Sequence, residues 1–119
     1  MAYVIVWEFR VRPGMQRQFE EACGFHGEWV RLFRLDPAYI RTELIQDVRE
    51  ARRYLTLDFW ASEAAYEAFR EGRKDEYKRI DARYEQMTES EREVGRFFAF
   101  DADEKRDKGS GTASEPRLR

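Results

Sequence analysis

The sequence predicts an α+β fold whose elements follow in the order β-α-β-β-α-β. Two observations support this prediction: apolar and polar residues alternate in four short segments, and apolar residues recur at helical spacing between them. The alternating segments are residues 3–12, 39–47, 53–60 and 94–100. The chain has 119 residues, and a single domain typically takes about 100–200. We therefore expect one domain over residues 1–100.

The first predicted strand, residues 3–12, is apolar on both faces at its start. Ile5 and Trp7 lie on one face, and Val4 and Val6 lie on the other. A sheet with one solvated face would alternate apolar with polar residues along the whole strand. Something beyond the chain's own helices is therefore expected to cover the second face.

A single helix of about five turns is predicted after Pro13-Gly14, because apolar residues recur at spacings of three and four from Met15 to Phe33. His26, the only histidine, lies on this apolar stripe. We therefore expect its imidazole to point into the domain.

The segments 39–47 and 53–60 predict a hairpin of two antiparallel strands. Alternation along the second of these strands divides its side chains between two faces. Those expected to face away from the helices are Leu55, Leu57 and Phe59. Those expected to face the helices are Tyr54, Thr56, Asp58 and Trp60.

Helix signals continue after the hairpin. Ser62 is a predicted N-cap, Gly72 is expected to end that helix, and a further helix begins at about Lys74. The spacing of Thr88 and Glu91 fits a capping box and predicts a short turn before the last strand at 94–100.

Composition excludes several classes of protein. With 24 acidic and 22 basic residues, the chain has no strong field for nucleic acid or anionic lipid, and no apolar run approaches the roughly 20 residues of a membrane span. Cys23 is the only cysteine, which is typical of a reducing, cytoplasmic setting and excludes a cysteine-rich metal site. Residues 101–119 are highly charged and predict a disordered tail.

The element order is that of a ferredoxin-like fold, and the string YLTLDFWASEAAYEAFR at 54–70 resembles the strand-to-helix signature of antibiotic biosynthesis monooxygenase domains. The resemblance spans about residues 3–100. It implies a homodimer whose two sheets close into an α/β barrel, with Leu55, Leu57 and Phe59 facing the partner. It also places a cavity for a small hydrophobic or aromatic ligand on the helix side.

Some members of this family degrade haem with an Asn, a Trp and a haem-ligating His. Ungapped matching puts Trp7 and Phe69 at the first two positions, and Tyr77, Lys78 and Arg79 where the His is expected. The resemblance therefore implies that this chain does not degrade haem.

Other members oxidise polycyclic phenols without metal or flavin, using Asn, Trp and Tyr around the turn from the third strand to the following helix. Trp60 and Tyr66 fit that pattern, whereas Thr56 replaces the Asn. The resemblance thus implies a cofactor-independent oxygenase whose pocket deprotonates its substrate and excludes water.

His26, Asp58 and Tyr66 are the catalytic candidates. An unpaired carboxylate on the helix side of the sheet is costly, so Asp58 needs a donor or a shifted pKa. His26 is one candidate donor, and an Arg or Tyr is the alternative. His26 is otherwise a core histidine, and Tyr66 lies either at a pocket mouth or on the surface.

Aromatic side chains are expected to converge on the cavity and to bind a flat ligand, unless they simply form an aromatic core. The predicted substrate-binding residues are Trp7, Trp29, Tyr54, Thr56, Trp60 and Tyr77. Three functions stay open: a cofactor-independent monooxygenase-like enzyme on a small lipophilic aromatic compound, a non-catalytic dimeric binding or stress-related module, and a purely structural dimer.

Overall fold

A computed structural model describes residues 1–100 and has four strands and four helices. The strands form one antiparallel sheet in the order β2-β3-β1-β4, which confirms the predicted α+β, ferredoxin-like fold. In the single chain this sheet is open rather than closed into a barrel. The predicted tail at 101–119 lies outside the described residues. In chain order the elements are β1 (Ala2–Val11), α1 (Gln16–Ala22), α2 (Glu28–Phe33), β2 (Tyr39–Gln46), β3 (Arg53–Trp60), α3 (Glu63–Glu71), α4 (Lys74–Glu85) and β4 (Thr88–Ala99).

The first helical region is broken, so the prediction of one five-turn helix is wrong. The chain leaves α1 at Cys23 and enters α2 after Gly27. At Gly27 the backbone comes so close to the end of α1 that a Cβ would stand 1.7 Å from the carbonyl oxygen of Ala22. Only glycine fits this close approach, and the break changes the direction in which the intervening side chains point.

His26 lies in this break and is exposed to solvent. Its ring packs edge-on against Phe25, with the ring centroids 5.1 Å apart. The expectation that His26 points into the domain is therefore wrong, because it depended on an unbroken helical stripe through residue 26.

The second helical region follows the prediction closely. The Ser62 side chain accepts a hydrogen bond of 3.1 Å from the backbone N–H of Ala65 and so caps α3. Gly72 is the C-cap of α3, and α4 begins at Lys74. No helix within residues 1–100 combines the length and the hydrophobicity needed to cross a bilayer.

The last strand begins earlier than predicted, because Thr88 to Glu91 continue β4 instead of forming a turn. Thr88 is paired with Val11 at the end of β1. The Thr88 hydroxyl donates to the carbonyl of Tyr84, 3.2 Å away. A neighbouring strand as long as β1 offers hydrogen-bonding partners for the whole segment, which favours ladder pairing over a local capping turn.

The two faces of the sheet carry separate apolar clusters, as the alternation in β3 predicts. Tyr54 and Trp60 belong to the main core beneath the helices. Val4, Val6 and Phe59 form the core of a second cluster on the opposite face, against which Leu55 and Leu57 pack. In the single chain no helix within residues 1–100 covers that second face.

Candidate active site

A cavity of about 110 Å³ lies between the inner face of the sheet and the helices. Seven of its 15 lining residues are aromatic. Those rings belong to Trp7, Phe9, Trp29, Phe33, Tyr66 and Tyr77, with Tyr84 beside them. Three carboxyl groups and one guanidinium also reach the cavity, from Asp58, Asp81, Glu91 and Arg70. The site thus combines an aromatic lining with ionisable groups.

Six of the nine residues predicted from sequence line this cavity. They are Trp7, Trp29, Thr56, Asp58, Tyr66 and Tyr77. The other three are placed elsewhere: His26 is exposed, while Tyr54 and Trp60 are almost completely buried in the core. Strand alternation gave the correct face for Tyr54 and Trp60, but it could not give the depth to which neighbouring side chains cover them.

The contacts of Tyr54 and Trp60 are those of core residues that stabilise the fold. The Tyr54 hydroxyl donates to Glu20 and accepts from Gln46, and burial raises the pKa of Tyr54 to about 12. The Trp60 ring packs against Phe33 and Phe69 among other rings, with centroids 5.4 and 5.2 Å away. Both rings therefore belong to the main core and do not line the cavity.

Asp58 is the best-defined ionisable group of the cavity. Its Oδ1 accepts a hydrogen bond of 2.7 Å from the hydroxyl of Thr42. Burial raises the pKa of Asp58 from 3.8 to about 6, against the opposing effect of the Thr42 hydrogen bond. The carboxylate is therefore mostly ionised at neutral pH, and its proton affinity is higher than that of an exposed aspartate. Both properties suit a general base.

Thr42, and not His26, supplies the donor that Asp58 was expected to need. Thr42 and Asp58 are direct cross-strand partners in the β2–β3 hairpin. The two residues are equally distant along the chain from the centre of the turn, and the next pair, Glu43 and Leu57, has the same symmetry. The register of the hairpin therefore carries a sequence signal that would have found this contact.

Two tyrosines face each other near Asp58. Tyr66 is 5% exposed, so the expectation that it stands half exposed at a pocket mouth is wrong. The buried Tyr77 hydroxyl makes no hydrogen bond of ordinary geometry within residues 1–100. Burial is the main cause that raises the pKa of both phenols, and for Tyr77 the neighbouring Tyr66 adds to it. Both hydroxyls therefore stay protonated at neutral pH.

The sequence reasoning missed the acidic end of the cavity. Burial, and then the charges of Asp81 and Glu85, raise the pKa of Glu91 to about 6. Its Oε1 is buried without a hydrogen-bond partner in the described part of the chain. Asp81 follows Tyr77 by four residues, so both lie on one face of α4. This spacing is a sequence signal that would have placed Asp81 at the cavity beside Tyr77. Glu91 was hidden by the wrong prediction of a turn.

The pH dependence of stability should report the burial of Asp58. Its pKa is about 6 in the folded protein against 3.8 in the reference state, so the folded state binds this proton more tightly, and stability falls as pH rises between those values. Relative to Asp58→Asn, we expect the wild-type free energy of unfolding to drop by roughly 3 kcal/mol at most from pH 4 to pH 7.

Denaturant unfolding of both proteins at several pH values measures this difference. Comparing the two proteins cancels the contributions of other carboxyl groups, such as Glu8 and Asp47, whose pKa values are lowered by arginine partners and by backbone hydrogen bonds. Parallel curves for the two proteins would show that Asp58 has an ordinary pKa.

The chain is similar to one protein family in sequence and to several solved structures in fold. The sequence profile of the family described as antibiotic biosynthesis monooxygenase matches residues 2–83. No curated protein matches the sequence. A solved structure from Bordetella bronchiseptica, assigned as an antibiotic biosynthesis monooxygenase, has a TM-score of 0.67 at 14% identity, covering 83% of this chain and 97% of that one.

Two further structures share the fold. One, from Caulobacter crescentus, carries the same family name and has a TM-score of 0.66 at 19% identity, covering 84% of this chain and 91% of that one. The other is a variant of SnoaB, a cofactor-independent oxygenase from Streptomyces nogalater. Its TM-score is 0.56 at 16% identity, with 82% of this chain and 92% of that one covered. At these identities the structures establish a shared fold.

Proposed function

Since the chain belongs to the antibiotic biosynthesis monooxygenase family, we propose that it is a monooxygenase-like enzyme acting on a small lipophilic aromatic compound in the helix–sheet cavity. Asp58 carries this proposal, because it is a base of raised pKa within an aromatic wall. The rings of Trp7 and Trp29 would hold the substrate, and Asp58 would remove a proton from it. Tyr66 and Tyr77 are neutral hydroxyl donors that line the same cavity.

The proposed reaction balances without an added reductant. An activated CH₂ group loses one proton to Asp58, and the resulting carbanion reacts with O₂. One oxygen atom stays on the carbon as a carbonyl, and the other leaves as water together with both hydrogens. The substrate supplies all the electrons, in keeping with the name cofactor-independent oxygenase that SnoaB carries.

The size of the cavity restricts the substrate. An apolar cavity of about 150 Å³ is enough to bind benzene, whereas sites for drug-sized ligands measure about 300–1,000 Å³. The cavity here has about 110 Å³. A ring the size of benzene therefore requires a small outward movement of the cavity walls, and a polycyclic phenol requires a much larger one. For this reason we propose a compound with one small ring.

Oxygen uptake tests the proposal. The protein would be supplied with a panel of single-ring phenols and activated benzylic ketones, with anthrone as a larger comparison, and O₂ consumption would be followed with an electrode. We expect uptake with at least one single-ring compound, together with transfer of one ¹⁸O atom from ¹⁸O₂ to the product. Uptake that is equal without protein, or absent for the whole panel, contradicts the proposal.

A second candidate function is a non-catalytic module that binds a small hydrophobic molecule. The cavity volume favours it, because about 110 Å³ leaves little space for O₂ beside a ring. Trp7 and Trp29 line the cavity, so ligand binding should quench their fluorescence. Quenching by a compound that produces no oxygen uptake would select this function over the first.

We also propose that the apolar outer face of the sheet is the interface of a homodimer. Leu55, Leu57 and Phe59 lie there beside Val4 and Val6, with no helix above them in the described residues. Val4, Val6 and Phe59 are already buried in the single chain. Two such faces packed together would bury the part of Leu55 and Leu57 that is still exposed, at a gain of about 25 cal/mol per Å² of apolar surface.

Replacing Leu57 with Lys is expected to produce a monomer. A lysine in the middle of the face would bring two like charges together across the proposed twofold axis and would leave them poorly hydrated. Sedimentation velocity measures the change in mass. Val48→Lys is the matched control, because Val48 is 96% exposed in the β2–β3 turn, and it should sediment as the wild type. If Leu57→Lys also stays dimeric, another surface forms the interface.

A further inference from the structure

A chain of hydrogen bonds runs from Asp58 to the hydroxyl of Tyr39, the first residue of β2. The Thr42 hydroxyl donates to Asp58 Oδ1 at 2.7 Å, and the Tyr39 hydroxyl lies 2.8 Å from the same Thr42 oxygen. A threonine hydroxyl has one proton to give. Because that proton goes to Asp58, Tyr39 must donate to Thr42, and the three groups form one directed chain.

The two ends of this chain lie in different surroundings. Asp58 lines the inner cavity, whereas Tyr39 lines a separate groove of about 580 Å³ along β2. Exposed side chains, among them Phe25 and Ile40, border that groove, so it is open to water. Thr42 lines both spaces and therefore stands in the wall between them.

We propose that Thr42 and Tyr39 are positioning residues that hold Asp58 with one oxygen directed to the cavity and connect it with water in the groove. This inference rests on the proposed role of Asp58 as the base. It adds a route by which a base enclosed by aromatic rings exchanges its proton with solvent. Without such a route, a protonated Asp58 could lose its proton only through the ligand cavity.

The transfer balances in protons. Protonated Asp58 gives its proton to the Thr42 oxygen, Thr42 passes its own proton to the Tyr39 oxygen, and Tyr39 releases one to a groove water. For this transfer the carboxyl group turns its protonated oxygen to Thr42, and the two hydroxyl groups first rotate so that Thr42 points to Tyr39 and Tyr39 points to the groove water. Each oxygen then breaks one O–H bond as the next forms one, and the transfer itself leaves both hydroxyl groups in the direction seen in the structure. No electron moves and no co-reactant is needed.

The other ionisable groups that face Asp58 do not offer this route. They are Cys23 after α1, Tyr66 on α3 and Tyr77 on α4, each of which feels the charge of Asp58. None of them hydrogen-bonds to Asp58 within residues 1–100, where Thr42 is its single partner. None is a cation, so Thr42 is the group that stabilises the ionised carboxylate.

The positioning part of the proposal is tested without activity. Carbon-13 NMR of labelled aspartate carboxyls gives the pKa of Asp58, with Asp58→Asn identifying its resonance. Thr42→Val should raise that pKa by about one unit, the effect of losing a hydrogen bond to the charged form. Thr42→Ser keeps the hydroxyl and should restore the wild-type pKa. Equal pKa values in all three proteins would overturn the proposal, and circular dichroism establishes that each variant is folded.

The relay part is tested with Tyr39→Phe, which keeps the ring contacts of Tyr39 with Phe33 and Trp60 and removes only the hydroxyl. We expect slower proton exchange at Asp58, seen as broadening of its carboxyl resonance near the midpoint, and lower turnover that added imidazole buffer restores. Unchanged line widths, or no buffer effect, would overturn the relay. If wild-type protein has no oxygenase activity but the NMR effects appear, the relay stands and the proposed function fails.

Discussion

Replacing Asp58 with Asn is expected to lower the turnover of the substrate found in the oxygen-uptake screen by at least about 100-fold, the lower end of what a positioned general base contributes. The amide keeps the shape of the side chain and can still accept a hydrogen bond from Thr42. It has almost no affinity for a proton at neutral pH. The variant therefore removes the proposed base and leaves the cavity nearly unchanged.

The control for this variant is Asp81→Asn. Asp81 lines the same cavity from α4, and burial followed by the charge of Glu85 raises its pKa as well. Both substitutions remove one negative charge from the cavity, so a general electrostatic effect would lower turnover in both. Loss confined to Asp58→Asn identifies the base. If both variants keep wild-type turnover, proton removal is not performed by either carboxyl and the proposed mechanism is wrong.

Asp58→Asn is expected to change stability and turnover in opposite directions. This pattern distinguishes a functional residue from a structural one. Asp58 is half-buried, and within residues 1–100 its carboxylate has one hydrogen bond and no cationic partner, so its ionised form costs stability at neutral pH. Asp58→Asn should therefore be at least as stable as the wild type there while losing activity. A residue kept for packing would show the reverse pattern, with lower stability and unchanged turnover.

The fold could be predicted because its signals are local. Alternation in β3 placed Leu57 and Asp58 on opposite faces, and the cap at Ser62 is a contact between residues three positions apart. These patterns depend on the period of a strand or the first turn of a helix, and tertiary contacts do not change them. Part of the cavity lining could also be predicted from the alternation, because side chains on the helix-facing side of the sheet must contact the helices.

The remaining features depend on contacts between distant parts of the chain. His26 was misplaced because nothing in its neighbours reveals that the backbone of Gly27 packs against the end of α1. Glu91 was missed because a capping-box spacing and a strand are equally compatible with its local sequence, and only pairing with β1 decides between them. In both cases a wrong secondary-structure prediction, an unbroken helix or a turn, led to a wrong prediction for a site residue.

Gly27→Ala is expected to lower the free energy of unfolding by roughly 3 kcal/mol or more, at the upper end of the cost of forcing extra atoms into packed structure. The added methyl group would stand 1.7 Å from the carbonyl oxygen and 2.5 Å from the carbonyl carbon of Ala22. Both atoms belong to the backbone, so no side-chain rotation relieves the overlap. Thermal unfolding followed by circular dichroism should show a midpoint lowered by more than about 10 °C.

Gly24→Ala provides the matched control in the same break. A Cβ at Gly24 would lie 3.5 Å from the carbonyl oxygens of Glu20 and Glu21, an ordinary contact. Its unfolding midpoint should stay near that of the wild type or rise slightly, because alanine restricts the unfolded chain. Since Trp29 lies two residues after Gly27, in the first turn of α2, and lines the cavity, Gly27→Ala should also weaken ligand quenching of tryptophan fluorescence. Equal stability of the two variants would mean that the end of α1 can move away from residue 27, and that the break does not fix the cavity wall.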